Sequence, residues 1–314
     1  MNAGFILEIG ANGAGSKSFD QDNNGTSAVT VRKQAWFLTS KTLGKFSMGK
    51  YDTATYHLID NLDSTLTRNV SDFEAAGIAL GAFKTRVNGK LGAKWLDLMG
   101  GFNNGTPGQS GLRSIVRYDT PELAGFTASA SWGEDDQWET ALRFKGEFGD
   151  FKLAAAAGYG ESRDPLTNGG QCVAPGTTGN CRWWGAGALV SHVPTGIYVY
   201  GGFAQNEVEF AAASPGKDDK GTTYYIQGGV ENKWNEYGRT NVFVEYRRDD
   251  VGVSKAADSS DLDFWAAGVA QNFENADMTL YALYRHFDGD FTSKGAKSNL
   301  DAFDMVVTGA KINF

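Results

Sequence analysis

The feature that most restricts this chain is period-two alternation, sustained through segment after segment. Phe126, Ala128, Ala130 and Trp132 alternate with Thr127, Ser129 and Ser131. Trp138, Thr140, Leu142, Phe144, Gly146 and Phe148 share one face, and Glu139, Ala141, Arg143, Lys145 and Glu147 the other. A helix would spread those charges around its circumference, whereas a strand gathers them on one side. Phe151, Leu153, Ala155, Ala157 and Tyr159 repeat the pattern. So do Tyr224, Ile226, Gly228 and Val230 against Tyr225, Gln227, Gly229, Glu231 and Lys233, and Val242, Val244 and Tyr246 against Asn241, Glu245 and Arg247. The chain ends with Val306, Thr308, Ala310, Ile312 and Phe314 opposing Gly309, Lys311 and Asn313.

A soluble sandwich alternates too, so three further features decide the class. The segments run to roughly 10–13 residues, which suits a tilted membrane strand better than a soluble strand of about five or six. Short connections at 148–150, 194–196 and 275–277 alternate with long polar ones at 160–180, 210–221, 249–260 and 288–298. Short turns on one rim and long loops on the other are the layout of an outer-membrane barrel. Aromatics also gather at segment ends, at Trp132, Trp183, Trp184, Trp234, Phe273 and Phe287. The reading is an all-β, transmembrane antiparallel β-barrel in one domain spanning residues 1–314. About 14 strands begin near Ala3, Thr30, Lys45, Arg113, Phe126, Trp138, Phe151, Arg182, Ile197, Thr223, Thr240, Leu262, Met278 and Ala302.

Composition agrees. The mean hydropathy of −0.35 would suggest a water-soluble protein, but strands that alternate hide their apolar residues from such an average. Gly numbers 41 against 6 Pro, and aromatics reach 13%, as curved strands with interfacial girdles require. A net charge of −8 without a basic stripe argues against nucleic acid as a partner, and fits a cation-leaning pore. Cys172 and Cys181 lie close together in a Gly/Pro-rich stretch, where a disulfide made in an oxidising compartment is expected; two free thiols are the alternative. No metal site is expected beside them. No signal peptide precedes the first strand, so the chain reads as processed, engineered or truncated at its start.

Residues 53–111 break the alternation. They hold Asp60 and Asp63, a short helix expected near 71–83 with Ser71 as its cap and Glu74 three residues on, and a Gly-rich stretch at 100–108. Insertions this long are usually functional.

Two segments resemble the Gram-negative general porins, in particular alphaproteobacterial ones. Arg113-Ser-Ile-Val-Arg117-Tyr-Asp-Thr-Pro121, continuing to Gly125-Phe126, is similar to the segment that follows the family's constriction loop. Leu43-Gly-Lys-Phe-Ser-Met-Gly49-Lys-Tyr-Asp-Thr53 is similar to the strand that enters it. Phe314, with Ile312 two before, resembles the terminal signature of outer-membrane barrels. The resemblance implies a 16-stranded, usually trimeric barrel whose third extracellular loop folds inward to narrow a water-filled pore. The strand entering that loop is the family's fifth but only the third here, so about two strands are expected upstream of Met1; the alternative is that the 14 strands close by themselves, since an even number permits closure. The family's Pro-Glu-Phe motif is absent from the loop.

On this resemblance, loop acids Asp60, Asp63, Asp72 and Glu74 would face wall arginines Arg32, Arg113, Arg117 and Arg143 across the constriction. Arg113 and Arg117 share a parity that turns inward if Val116 and Tyr118 face lipid. The expected function is passive diffusion of ions and small hydrophilic solutes across the outer membrane, without cofactor or catalysis. The partners are outer-membrane lipid, lipopolysaccharide and two further copies of the chain. One alternative is a substrate-selective channel with an aromatic ladder of Trp36, Trp183 and Trp265. Another is a plugged barrel acting as adhesin or enzyme. The inward-parity charges Glu139, Arg143, Lys145, Glu147, Glu231, Lys233, Glu245 and Arg247 argue for a wet interior and against the plug. His57, His192 and His286 are too dispersed for a hydrolase centre, and Gly158-Tyr159-Gly160 lacks the following helix of a nucleotide loop.

Overall fold

A computed structural model describes residues 1–12, 28–68, 83–99, 108–134, 136–163, 177–210, 212, 217–254 and 256–312. The strands are β1 Asn2–Asn12, β2 Ala28–Ser40, β3 Gly44–Asp52, β4 Lys84–Val87, β5 Lys90–Lys94, β6 Leu112–Asp119, β7 Phe126–Gly133, β8 Gln137–Phe148 and β9 Phe151–Ser162. They continue as β10 Thr177–His192, β11 Ile197–Phe210, β12 Lys220–Asn235, β13 Gly238–Val251, β14 Ser259–Phe273, β15 Met278–Ser293, β16 Ala296–Asn299 and β17 Phe303–Ile312. Among the described residues all but β4 and β5 join one antiparallel sheet of 15 strands, in which strands pair in chain order except that β3 pairs with β6, across the insertion, and β17 with β15. β16 and β17 follow one another along the same edge of β15, so the sheet fills fourteen positions of a β-barrel wall. Among the described residues β1 pairs with β2 and β17 with β15.

Alternation sets the two faces. Leu142, Val199, Tyr224, Ile226, Val242 and Val244 point outward and are exposed on the single chain, forming the apolar belt that lipid covers. Their neighbours Ala141, Tyr198, Tyr200, Tyr225, Gln227, Asn241 and Phe243 are buried inward. Trp132 and Trp234 lie on the outside next to strand ends and Trp184 on the outside in the middle of β10, whereas Trp183 and Phe287 turn inward and are fully buried. Strand starts fall within a few residues of the sequence expectation. The long connections are shorter than expected, because the strands continue past the membrane-length segment. β9 runs to Ser162 and β11 to Phe210, and the expected loop at 288–298 is mostly a hairpin in which β15 turns back as β16. At the opposite rim the turns are tight; Gly196, with φ of 72°, has its α-carbon so close to the Glu231 carbonyl that a side chain would clash.

The inner wall is lined by small residues where β8 to β11 meet: Ala141, Ala156, Gly158, Gly185, Gly187 and Ala204. This leaves a recess inside the barrel, and residues 53–68 fill it.

Candidate functional site

The chain leaves β3 at Asp52, turns into the interior and returns to β6 at Leu112. Its two ends are tied to each other: Thr53 N–H donates to the Gly111 carbonyl at 3.4 Å, and the Thr53 and Ser110 hydroxyls are 2.6 Å apart. Both ends are also tied to the wall through Glu139 on β8. Its carboxylate accepts from the Thr55 N–H and hydroxyl, each at 2.7 Å, from the Ser110 hydroxyl and from the Gln137 amide. Arg117 and Arg143 grip the same root from the other side. Arg117 donates to the carbonyls of Asp52 and Thr53 at 3.1 and 2.9 Å, and Arg143 to that of Ala54 at 2.7 Å.

Beyond the root, Leu58, Ile59 and Leu62 bury completely in the recess against Ala156, Leu189, Tyr198, Tyr200 and Ala204. Each such burial contributes about 1.5–3 kcal/mol. The fit depends on missing side chains: a β-carbon on Gly158 would meet Leu58 at 2.5 Å, and one on Gly187 would meet Ile59 at 2.8 Å. Tyr200 donates to the Ile59 carbonyl at 3.1 Å, and Trp183, buried against Gly160, donates to Thr55 at 3.2 Å. The stretch continues round the wall to β12, where Leu66 N–H donates to Glu231 and Gln227 donates to Thr67, both at 2.7 Å.

A second part of the insertion, 83–99, packs on the opposite inner wall. β4 and β5 form a hairpin through Asn88 and Gly89, both at positive φ, and a single helical turn, Trp95–Leu98, follows. Trp95 is buried among Phe264, Phe287 and Phe303 of β14, β15 and β17. Asp301 accepts the N–H groups of Asn88 and Gly89 at 3.1 and 2.7 Å, and Ser260 donates to the Leu98 carbonyl at 2.8 Å. The insertion therefore touches the interior at two sides of the barrel. Beside its first part lies a polar cavity of about 470 Å³, lined by Lys45, Tyr51, Tyr56, His57, Asn61, Arg117, Arg143 and Lys145 among others.

Arg117 and Arg143 thus converge on the insertion. Arg117 also forms a bidentate pair with Asp119. Arg113 lies on the same inward face, on the strand that receives the returning chain. Arg32 stands apart, at an irregularity in the β1–β2 pairing, where it meets Glu8 at 2.5 Å. Asp60 is fully buried between the His57 ring at 2.5 Å and Arg68 at 2.6 Å. Burial opposes its ionisation, but these two partners outweigh burial and hold the carboxyl below its ordinary value. Asp63 is buried too, accepting from Thr65 N–H and from the hydroxyls of Thr65 and Thr67, so it shapes the turn. Asp72, Glu74 and the helix expected near 71–83 lie outside the described residues. Cys181 is disulfide-bonded; Cys172, the one other cysteine, lies outside them as well.

The aromatic ladder does not form. Trp36 and Trp265 are about 42% and 45% exposed on the outer face, and Trp183 is sealed behind the insertion. Only part of the inward charge is wet. Lys145, Glu147 and Lys233 are exposed, but Glu139 and Arg247 are buried. Arg247 pairs with Asp249 at 2.9 Å and Arg285 with Glu245 at 3.1 Å, so partners replace water there. Sequence reasoning placed Glu139 on the correct face without its clamping role, which depends on residues 84 and 29 positions away. The Lys84–Lys94 hairpin was also missed, although Asn-Gly between alternating residues is its ordinary signal.

The model of the family described as Gram-negative porin matches residues 1–299. No curated protein gives a match. Among solved structures, the anion-selective porin from Comamonas acidovorans is similar over 98% of this chain and 84% of its own, at 14% identity and a TM-score of 0.60. The outer membrane channel DcaP of Acinetobacter baumannii is similar over 98% and 80%, at 11% identity and a TM-score of 0.51. OmpT of Vibrio cholerae, in its trimer form, is similar over 91% and 80%, at 17% identity and a TM-score of 0.50. At these identities the likeness establishes a shared fold.

Proposed function

The chain belongs to the Gram-negative porin family, and from that premise we propose that residues 53–111 are the constriction of its pore. It is an outer-membrane protein and a passive diffusion channel. The observation that carries the proposal is the inward insertion, clamped at both ends by Glu139 and packed on two sides of the inner wall. It narrows the interior while leaving the polar cavity beside Tyr56 and His57. Solutes would pass along Arg117, Arg143, Lys45 and Tyr51 on one side and the insertion on the other. A polar, charge-lined passage favours small hydrophilic solutes and ions over apolar ones.

The reading is of a channel and not an enzyme; diffusion down a gradient requires no cofactor. Its support is that His57, His192 and His286 occupy three separate places, beside Asp60, Thr195 and Asp304 respectively. The alphaproteobacterial subtype, a homotrimer in contact with lipopolysaccharide and a Cys172–Cys181 bridge complete the proposal. Trimeric assembly follows the family resemblance, and the Vibrio cholerae relative is described in a trimer form.

Swelling of liposomes holding the purified protein tests the reading. Uptake of uncharged sugars should fall smoothly with molecular size and be indifferent to stereochemistry. Saturable uptake of one sugar would favour a selective channel, and no swelling would overturn diffusion.

A further inference from the structure

The net charge of −8 does not describe the interior. Among the described residues, several inward acids are held by cations: Asp119 by Arg117, Asp52 by Lys33, Glu245 by Arg285, Asp249 by Arg247 and Asp60 by Arg68. The β4–β5 hairpin is the reverse case. From Lys84 to Lys94 it carries Lys84, Arg86, Lys90 and Lys94 and no acid.

Thr85 is buried and Val87 packs into the aromatic cluster on β14 to β17. Alternation therefore turns Lys84 and Arg86 away from the wall, toward the lumen, and both are exposed. Lys94, also exposed, stands directly across from Lys84 in the pairing. Like charges directly opposite destabilise a two-stranded ribbon. The ribbon is nevertheless held in this form from behind, by Asp301 on its tip, Ser260 on Leu98 and Trp95 in its ring of phenylalanines. Arg86 donates to the Gly89 carbonyl at 3.2 Å, and none of the three cations has an ion-pair partner among the described residues.

We infer that Lys84, Arg86 and Lys94 form an anion-binding site inside the channel, for small solutes carrying two or more carboxylate or phosphate groups. The Lys84 and Lys94 β-carbons are about 5 Å apart in such a pair, and Arg86, two residues along β4 from Lys84 and on the same face, adds a fork donor. A polyanion can neutralise two or three of these charges at once, which a monovalent anion cannot. Because the hairpin is fixed to the wall, little ordering is required on binding. The proposal rests on the channel reading and names a solute class for it. Lys45, Arg143 and Lys145 line the cavity beside the insertion's first part together with Asp52, Asp119 and Glu122, so that cavity is mixed in charge and the hairpin is the cationic surface.

The test is block of single channels in planar bilayers by sodium tripolyphosphate, added to each side in turn. Wild-type channels should be blocked, less so as KCl is raised. The variant K84Q/R86Q/K94Q should need about tenfold more blocker, while the charge-keeping K84R/K94R should retain wild-type block. Equal block with and without the three cations, in channels that conduct normally, would overturn the site alone. A purified protein that conducts nothing would overturn the channel reading and the site together.

Discussion

Replacing Glu139 with alanine removes one carboxylate that ties both ends of the insertion to β8. Thr55 lies on the outgoing stretch and Ser110 on the returning one, and the carboxylate is 1% exposed. A hydrogen bond to a charged acceptor contributes about 1.5–3 kcal/mol net. Four bonds sharing one carboxylate do not add in full, and lumen water would re-solvate some released donors, so the combined loss is about 3–5 kcal/mol. At tenfold per roughly 1.4 kcal/mol, the displaced insertion should become at least about a hundredfold more populated. Single-channel recording should then show flicker between conductance levels around a higher mean, and the thermal midpoint should fall. Glu139→Gln, which keeps shape and one acceptor, should fall between the two. Quiet channels of wild-type conductance and an unchanged melt for Glu139→Ala would refute the clamp.

The recess should resist filling. Gly158→Val, pressing on Leu58 and the Thr140 carbonyl, should cost about 1–3 kcal/mol, read as a lower melting temperature with altered conductance. Asp60, held below its ordinary value of 3.8, contributes stability that is present above that pH and lost as pH falls through the lowered folded-state value. Channel noise should therefore stay constant from neutral down to about pH 5 and rise only below about pH 3.8; an earlier transition that Asp60→Asn abolishes would contradict this. Asp301→Ala should free the hairpin tip at a cost of about 1–2 kcal/mol, visible as faster protease cleavage near Asn88. Maleimide should label Cys172 and Cys181 only after reduction, and labelling without reductant would exclude the bridge.

The barrel wall was legible because each wall residue obeys a local rule: one neighbour meets lipid, the next meets the interior. That rule located Phe126, Phe151, Ile197 and Met278 as strand starts, and it turned Arg117 and Arg143 inward. The insertion obeys no such rule. Leu58, Ile59 and Leu62 are buried by contacts with β9, β10 and β11 that lie about 100 residues or more away. Asp60 and Asp63 were expected to face the wall arginines across the constriction, and only the folded arrangement brings Arg68 and Thr67 to them instead. The interior was expected to be wet throughout because inward charges were counted singly. Arg247 with Asp249 and Arg285 with Glu245 show that pairing substitutes for water over part of the wall. Trp36 and Trp265 show the converse: a large aromatic on an alternating strand can serve the lipid face as readily as the lumen.

The central claim is a water-filled passage narrowed by a clamped insertion. Ion conductance of the purified protein in planar bilayers, measured over a range of KCl concentrations with and without added neutral sugars, tests it most directly. Conductance should rise in proportion to bulk salt conductivity and be unblocked by the sugars. A bilayer that stays silent despite inserted, folded protein, or a conductance that saturates with salt and is blocked by one sugar, would contradict it.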